Sequence, residues 1–197
     1  MNKPVNPSIE ETKARMRAIL DFQKQAQTRK GPPGAAVRRH RLTRCIELLL
    51  THKDDFVDAI ISDFGARSRD MTMLTDIAAA IGPLKQARSQ LDRWMKPQRR
   101  KVTPAALGLL GSRAEVRFQP KGVVGVMTPW NFPVQLAMDA IAGAFAAGNR
   151  VMLKPSEFTP ATSALLAQTL DLYFDEDEIA VILGGPDVGA AFAGLPV

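Results

Sequence analysis

The stretch Gly122–Glu157 leaves this chain few folds to choose from. Val123–Thr128 is a short run of mostly β-branched, apolar residues, the pattern of a buried strand. Pro129 and Pro133 bracket a rigid turn, Trp130-Asn131-Phe132. Val134–Ala147 reads as an alanine-rich helix, and Gly148 is placed to end it in a left-handed conformation. Arg150–Leu153 is a second buried strand, and Lys154-Pro155-Ser156-Glu157 leaves its end. The pattern then continues. Thr159-Pro160 starts a helix to about Tyr173, Ile179–Leu183 is a third strand, Gly184-Gly185-Pro186 is a turn, and Val188 to about Phe192 begins another helix. Strands alternating with helices in this order specify an α/β fold with a parallel sheet and right-handed crossovers.

In such sheets the ligand crevice lies beyond the carboxyl ends of the strands. Asn131 and the Lys154/Glu157 pair are therefore expected to face one crevice. An asparagine amide suits a developing oxyanion. A carboxylate and an ammonium suit the hydroxyls of a ribose. Taken singly, Pro-Trp-Asn-Phe-Pro is equally a rigid turn with a buried tryptophan, and Lys154/Glu157 a surface ion pair. The glycine-rich G-x-G-x-x-G fingerprint is missing from the first strand–helix turn, so a dinucleotide cannot place its pyrophosphate there in the usual way.

Upstream the chain reads as helices. Ser8-Ile9-Glu10-Glu11 has the capping-box form and opens a helix to about Lys30, with Met16, Ile19, Leu20 and Ala26 on one side. Gly31-Pro32-Pro33-Gly34 breaks it. A second helix, about Ala35–Thr51, carries the stripe Leu42, Cys45, Ile46 and Leu49. Cys45 in that stripe is a buried small hydrophobe rather than a nucleophile. Asp54 or Asp55 caps a third helix, Phe56–Phe64, ended by Gly65. Met71–Trp94 reads as one long helix kinked at Gly82-Pro83. Lys96–Lys101 is a basic connector, Val102–Gly111 a loop, and Glu115–Gln119 strand-like with one wet face. His40 and His52 are too isolated for a metal site.

The charge is uneven. The chain of 197 residues has a formal net charge of +6, but residues 1–101 hold 21 Lys/Arg against 11 Asp/Glu, leaving the remainder acidic. Scattered among acids and with few aromatics, these cations read as solvated helix faces rather than a nucleic-acid surface. No apolar run is long enough to span a bilayer, the first 30 residues are too polar for a secretory signal, and a lone cysteine makes no internal disulfide. The expected location is cytoplasmic, with neither a membrane nor a nucleic-acid partner.

Three motifs at these separations resemble the aldehyde dehydrogenase superfamily: Thr128-Pro129-Trp130-Asn131-Phe132-Pro133, Ala147-Gly148-Asn149 and Lys154-Pro155-Ser156-Glu157. Pro120–Gly125, Gly184-Gly185 and Asp63-Phe64-Gly65-Ala66-Arg67-Ser68 resemble its class 3 and coniferyl-aldehyde branch. The resemblance implies residues 1–101 as the helical amino-terminal part of a cofactor domain. It implies 102–121 as a hairpin extension for subunit contact, and 122–197 as the first half of a Rossmann-like NAD(P)-binding domain. It further implies NAD as cofactor, with NADP possible, a small aromatic or hydrophobic aldehyde as substrate, and a homodimer. Asn131 matches the oxyanion asparagine, Lys154 and Glu157 the ribose-holding pair. Thr128, Pro129 and Trp130 match the cofactor-cleft turn, and Gly184 and Gly185 the adenine side. The family's nucleophilic cysteine, general base and substrate domain have no counterpart here. The chain thus reads as an amino-terminal fragment, inactive alone, with its last strand left as an exposed apolar edge. The alternatives are a reductase of acyl phosphates or acyl thioesters in the same superfamily, or a non-enzymatic binding module.

Overall fold

Ser8 and Glu11 make the expected capping box: the Glu11 amide donates to Ser8 Oγ at 3.3 Å, and the Ser8 amide donates to the Glu11 carboxylate at 2.7 Å. Helix α1, Ile9–Lys30, follows and stops at Gly31, whose φ of 67° is left-handed. This computed structural model describes residues 8–197. Helix α2 (Ala35–Thr51) has the predicted stripe fully inside, Cys45 included, and burial pushes the Cys45 thiol up to about 12.

Three upstream expectations change. Helix α3 (Lys53–Phe64) begins at His52 with no side-chain cap, so neither Asp54 nor Asp55 caps it. The long helix is three pieces, α4 (Arg69–Thr72), a π-helical segment (Met73–Ala78) and α5 (Ala79–Trp94). Pro83 lies inside α5, and the irregularity sits at the π segment before it, where the wider turn absorbs an extra residue. The basic connector contributes strand β1 (Gln98–Arg100), and the expected loop contains helix α6 (Ala105–Leu109). β1 pairs antiparallel with β2 (Ala114–Val116) as an isolated two-stranded sheet. Both faces of β2 are wet, because no third layer packs on it: Val116 and, just beyond it, Phe118 are exposed along with Glu115.

The second sheet comprises β3 (Val123–Met127), β4 (Arg150–Lys154) and β5 (Ile179–Val181), parallel, in the order β3-β4-β5. Its crossovers are α7 (Pro133–Ala147) and α8 (Pro160–Tyr173), and α9 (Pro186–Ala193) leaves β5. Alternation along the strands splits the core. Val126, Val151, Leu153 and Ile179 pack toward α7 and α8, with α2, α3 and α5 behind. Val123, Met152, Ala180 and Ile182 pack toward α1 and α9. The incomplete α/β sheet is thus covered on both faces. β5 lies at the edge, but it is not an exposed apolar strand: Ile179 and Ala180 are 2% and 4% exposed. Gly148 ends α7 at φ 88° as its position demanded. A Cβ there would lie 2.6 Å from the Arg38 guanidinium carbon, so glycine is required twice over.

Below the amino ends of the strands, the cations of α1 and α2 meet the acids before β5. Arg41 Nε and Arg44 Nη2 donate to the two Glu178 oxygens at 2.8 and 2.7 Å. Lys30 Nζ and Arg150 Nη1 donate to Asp177 Oδ2 at 2.6 and 2.9 Å, and Arg38 Nη1 to the Ala146 carbonyl at 3.0 Å. Arg38, Arg41 and Arg44 are therefore interior cement, whereas most of the other upstream cations lie on solvated faces as expected. Burial works against the charges of Asp177 and Glu178, but the facing cations outweigh it and hold both carboxyls below their usual range. A carboxyl with a lowered folded pKa contributes stability that is present above its unfolded value, about 4, and is lost as pH falls through the folded value. Urea unfolding midpoints should therefore drop between about pH 5 and pH 3. Glu178→Gln should flatten that drop; a variant as steep as the native protein would remove Glu178 from this account.

Candidate functional site at the carboxyl ends of β3 and β4

β3 and β4 end together. Met127 faces Lys154 in register, and the Thr128 amide donates to the Lys154 carbonyl at 3.2 Å. That rung fixes where both polar segments begin. Lys154 is 3% exposed, and its Nζ donates to Glu157 Oε2 at 2.6 Å. A buried ammonium needs such a partner. The same bond, followed by a backbone N–H, holds the Glu157 carboxyl below its usual range.

The pair lines a cleft of ≈ 360 Å³ with Thr128, Ser156, Pro186 and Gly189. Thr128 Oγ1 is buried without a hydrogen-bond partner among the described residues. A Cβ at Gly189 would lie 3.7 Å from Lys154 Cε, an ordinary van der Waals contact, so α9 passes close to the lysine at this point. Gly184 and Gly185 do not line this cleft. Gly184, at φ 155°, makes the turn before α9, and a Cβ on it would collide with Val188 Cγ2 at 2.5 Å. Gly185 is the N-cap of α9 and sets Pro186 and Gly189 in place.

The Asn131 turn starts at this cleft and ends at another. Thr128 lines the first, while Phe132 lines a second, open hollow of ≈ 590 Å³ with Leu74, Thr75, Ala78, Ala79 and Gln135. Pro129 and Asn131 are exposed. Trp130 is 51% exposed and leans on Phe64 with centroids 6.0 Å apart, so it is not the buried anchor of a purely structural turn. The Asn131 carboxamide makes no hydrogen bond among the described residues, whereas its carbonyl accepts from Arg67 Nη1 at 3.0 Å. Arg67 Nη2 donates to Asp76 Oδ2 at 2.7 Å and Thr75 Oγ1 at 3.1 Å.

Neither α7 nor α8 caps itself: Phe132 and Thr159 make no side-chain cap. Carboxylates from the upstream helices do it. Asp76 Oδ1 accepts the amides of Val134 and Gln135 at 3.3 and 3.5 Å. Asp63 accepts those of Ala161 and Thr162 at 2.9 and 2.8 Å, with the Thr162 hydroxyl at 2.7 Å. Burial pushes the Asp76 carboxyl up, against the pull of the Arg67 charge.

A buried lysine paired with a half-buried glutamate, and an open asparagine amide, stand at adjoining strand ends. The aldehyde dehydrogenase family model matches residues 8–196. The chain belongs to the aldehyde dehydrogenase family. It is 56% identical over 195 residues to a Caulobacter vibrioides protein named "Probable coniferyl aldehyde dehydrogenase", covering 99% of this chain and 40% of that protein. It is 48% identical over 179 residues to the coniferyl aldehyde dehydrogenase of a Pseudomonas species, covering 91% of this chain and 36% of that one. The substrate-bound AldH of Staphylococcus aureus superposes with a TM-score of 0.85 at 26% identity, over 92% of this chain and 39% of its own. The chain thus spans about 40% of the length of the curated relatives it matches. Among the described residues no helix is long and apolar enough to cross a membrane.

The sequence motifs contain Ser156, Asp63 and Arg67 without assigning them a role, and give no sign of Gly189 in the cleft or of the supporting Asp76. One signal was present: Phe132 before Pro133 is no N-cap for α7, so that helix must borrow an acceptor from elsewhere, whereas Thr159 before α8 gave no such sign. The lenders lie 58 and 98 residues away, too far for any local pattern to name. Asp63→Ala should lower folding stability by about 1–2 kcal/mol, the range for a lost N-cap. Urea titration at neutral pH measures it, and an unchanged midpoint would show that α8 needs no cap from α3.

Proposed function

We propose that the whole protein to which these residues belong oxidises an aromatic or hydrophobic aldehyde to its carboxylic acid, with NAD or NADP as hydride acceptor. The observation that carries this is the strand-end arrangement: buried Lys154 with its half-buried partner Glu157, and the open Asn131 amide, follow adjacent, in-register strands. The unpartnered Thr128 hydroxyl and the space over Gly189 fit a polar ligand in the cleft. Glu157 accepts from the ribose hydroxyls of the cofactor and Lys154 donates to them. Asp76 fills the amino end of α7, so the cofactor phosphates lie elsewhere. Leu74, Ala78 and Phe132 offer an apolar approach for the hydrocarbon end of the aldehyde, and the coniferyl names of the relatives agree with that class. Bound NAD(P) supplies the hydride acceptor. The Asn131 amide donates to the oxygen that becomes negative when a thiolate adds to the carbonyl. Cys45, buried and protonated, is not that thiolate, so these 197 residues by themselves lack the nucleophile. The exposed β1–β2 hairpin is the subunit contact of a homodimer. One free, buried thiol suits a reducing, cytoplasmic location.

Asn131→Ala in the whole enzyme should lower kcat by about 10²–10³ with little change in cofactor affinity. Steady-state kinetics decide it, and near-native turnover would end the oxyanion role. Glu157→Gln should shift preference toward NADP, because the carboxylate that repels a 2′-phosphate is gone. The comparison is the ratio of kcat/KM for the two cofactors, which stays constant if Glu157 does not face the ribose.

A further inference from the structure

We propose that Arg67 is the positioning residue of the Asn131 turn, aiming its carboxamide at the reacting oxygen by tying the turn to the buried Asp76. The inference rests on the oxyanion role of Asn131. An oxyanion donor works only within a few tenths of an ångström of its target, and a displacement of about 1 Å costs roughly 10²-fold in rate. Asn131 is exposed, and its carboxamide is held by no side chain among the described residues. Its backbone is held by Arg67. The planar fork of the guanidinium divides its donors, with Nη1 on the Asn131 carbonyl at 3.0 Å and Nη2 on Asp76 and Thr75. Its carbon lies 4.9 Å from the centroid of Phe64 and 5.2 Å from that of Phe132, rings that limit its swing.

Asp76 holds the Arg67 fork with one oxygen and the first amides of α7 with the other. The turn is thus referenced to the helix that follows it through a single fully buried carboxylate. Thr75 and Asp76 reach the same guanidinium from the π-helical segment, the one departure from α geometry on this side of the site. Such bulges recur where a helix serves a site. A lysine cannot replace this fork, since one ammonium does not span three acceptors in a plane.

The test is a double-mutant cycle in the whole enzyme, reading kcat, the NAD dissociation constant and the melting midpoint. Arg67→Lys, which keeps a cation opposite Asp76, should retain the NAD affinity within about twofold and lower kcat about tenfold or more. In an Asn131→Ala background, Arg67→Ala should lower kcat by less than about threefold, because an arginine acting through the asparagine has nothing left to position. Where Arg67→Ala does not fold, the cycle is run with Arg67→Lys. Losses that multiply independently, or Arg67 variants with native kcat, overturn the proposal. Native kcat in Asn131→Ala alone overturns the oxyanion reading itself, and the single variant shows that separately.

Discussion

A fully buried carboxylate, Asp76, joins three elements. It terminates the amino end of α7, neutralises Arg67 and anchors the π-helical segment to the turn after β3. α7 is apolar on most of its circumference, Val134 at its start is buried, and Phe132 provides no side-chain acceptor. An uncompensated carboxylate at this depth is strongly unfavourable; with a guanidinium and two amides around it, it is tolerated. Asp63 does the same for α8 from a shallower position. Both helix ends that a phosphate would seek are thereby filled by the chain's own anions. The absent glycine-rich fingerprint and the capping carboxylates are one fact seen from two sides. A helix that carries its own anion has no use for a turn that admits a foreign one.

The opposite end of the sheet is held by the reverse arrangement, cations from α1 and α2 on acids and carbonyls at the amino ends of the strands. Here the uneven charge of the two halves acquires its meaning. The acids before β5, Glu176, Asp177 and Glu178, all pair with cations of α1 and α2, so part of the asymmetry is complementarity within one molecule. Charge asymmetry along a sequence is no guide to external partners until internal complementarity has been subtracted.

The parallel sheet, its helices and the Asn131 and Lys154 strand ends were legible because short-range signals agree there: hydrophobic period, proline at helix starts, Gly148 at a helix end. Lys154 and Glu157 could be paired from sequence because both lie on one strand end. What was not legible depends on contacts across the chain. The π segment replaces a simple kink because Thr75 and Asp76 serve Arg67. The three-residue strands β1 and β2 exist only through each other, and no period shows in three residues. Gly184 reads as part of a turn, and its positive φ and the nearness of Val188 agree; the adenine-side role comes from the resemblance alone, and the glycine sets the cleft wall one step removed.

The reach of the clamps imposes a timetable on synthesis. Lys30 waits for Asp177, 147 residues later, and Asp63 waits for Ala161, 98 residues later. At ribosomal rates of about 5–20 residues per second, the first interval is roughly 7–30 s. For most of it, until β3 and β4 are made, α1 holds an apolar stripe whose sheet is missing. Local devices help to keep α1 in order meanwhile, namely the Ser8–Glu11 box and the positive-φ stop at Gly31. These terminal signals, modest in the finished protein, matter most on the nascent chain, before the downstream acids arrive to lock the helices in place.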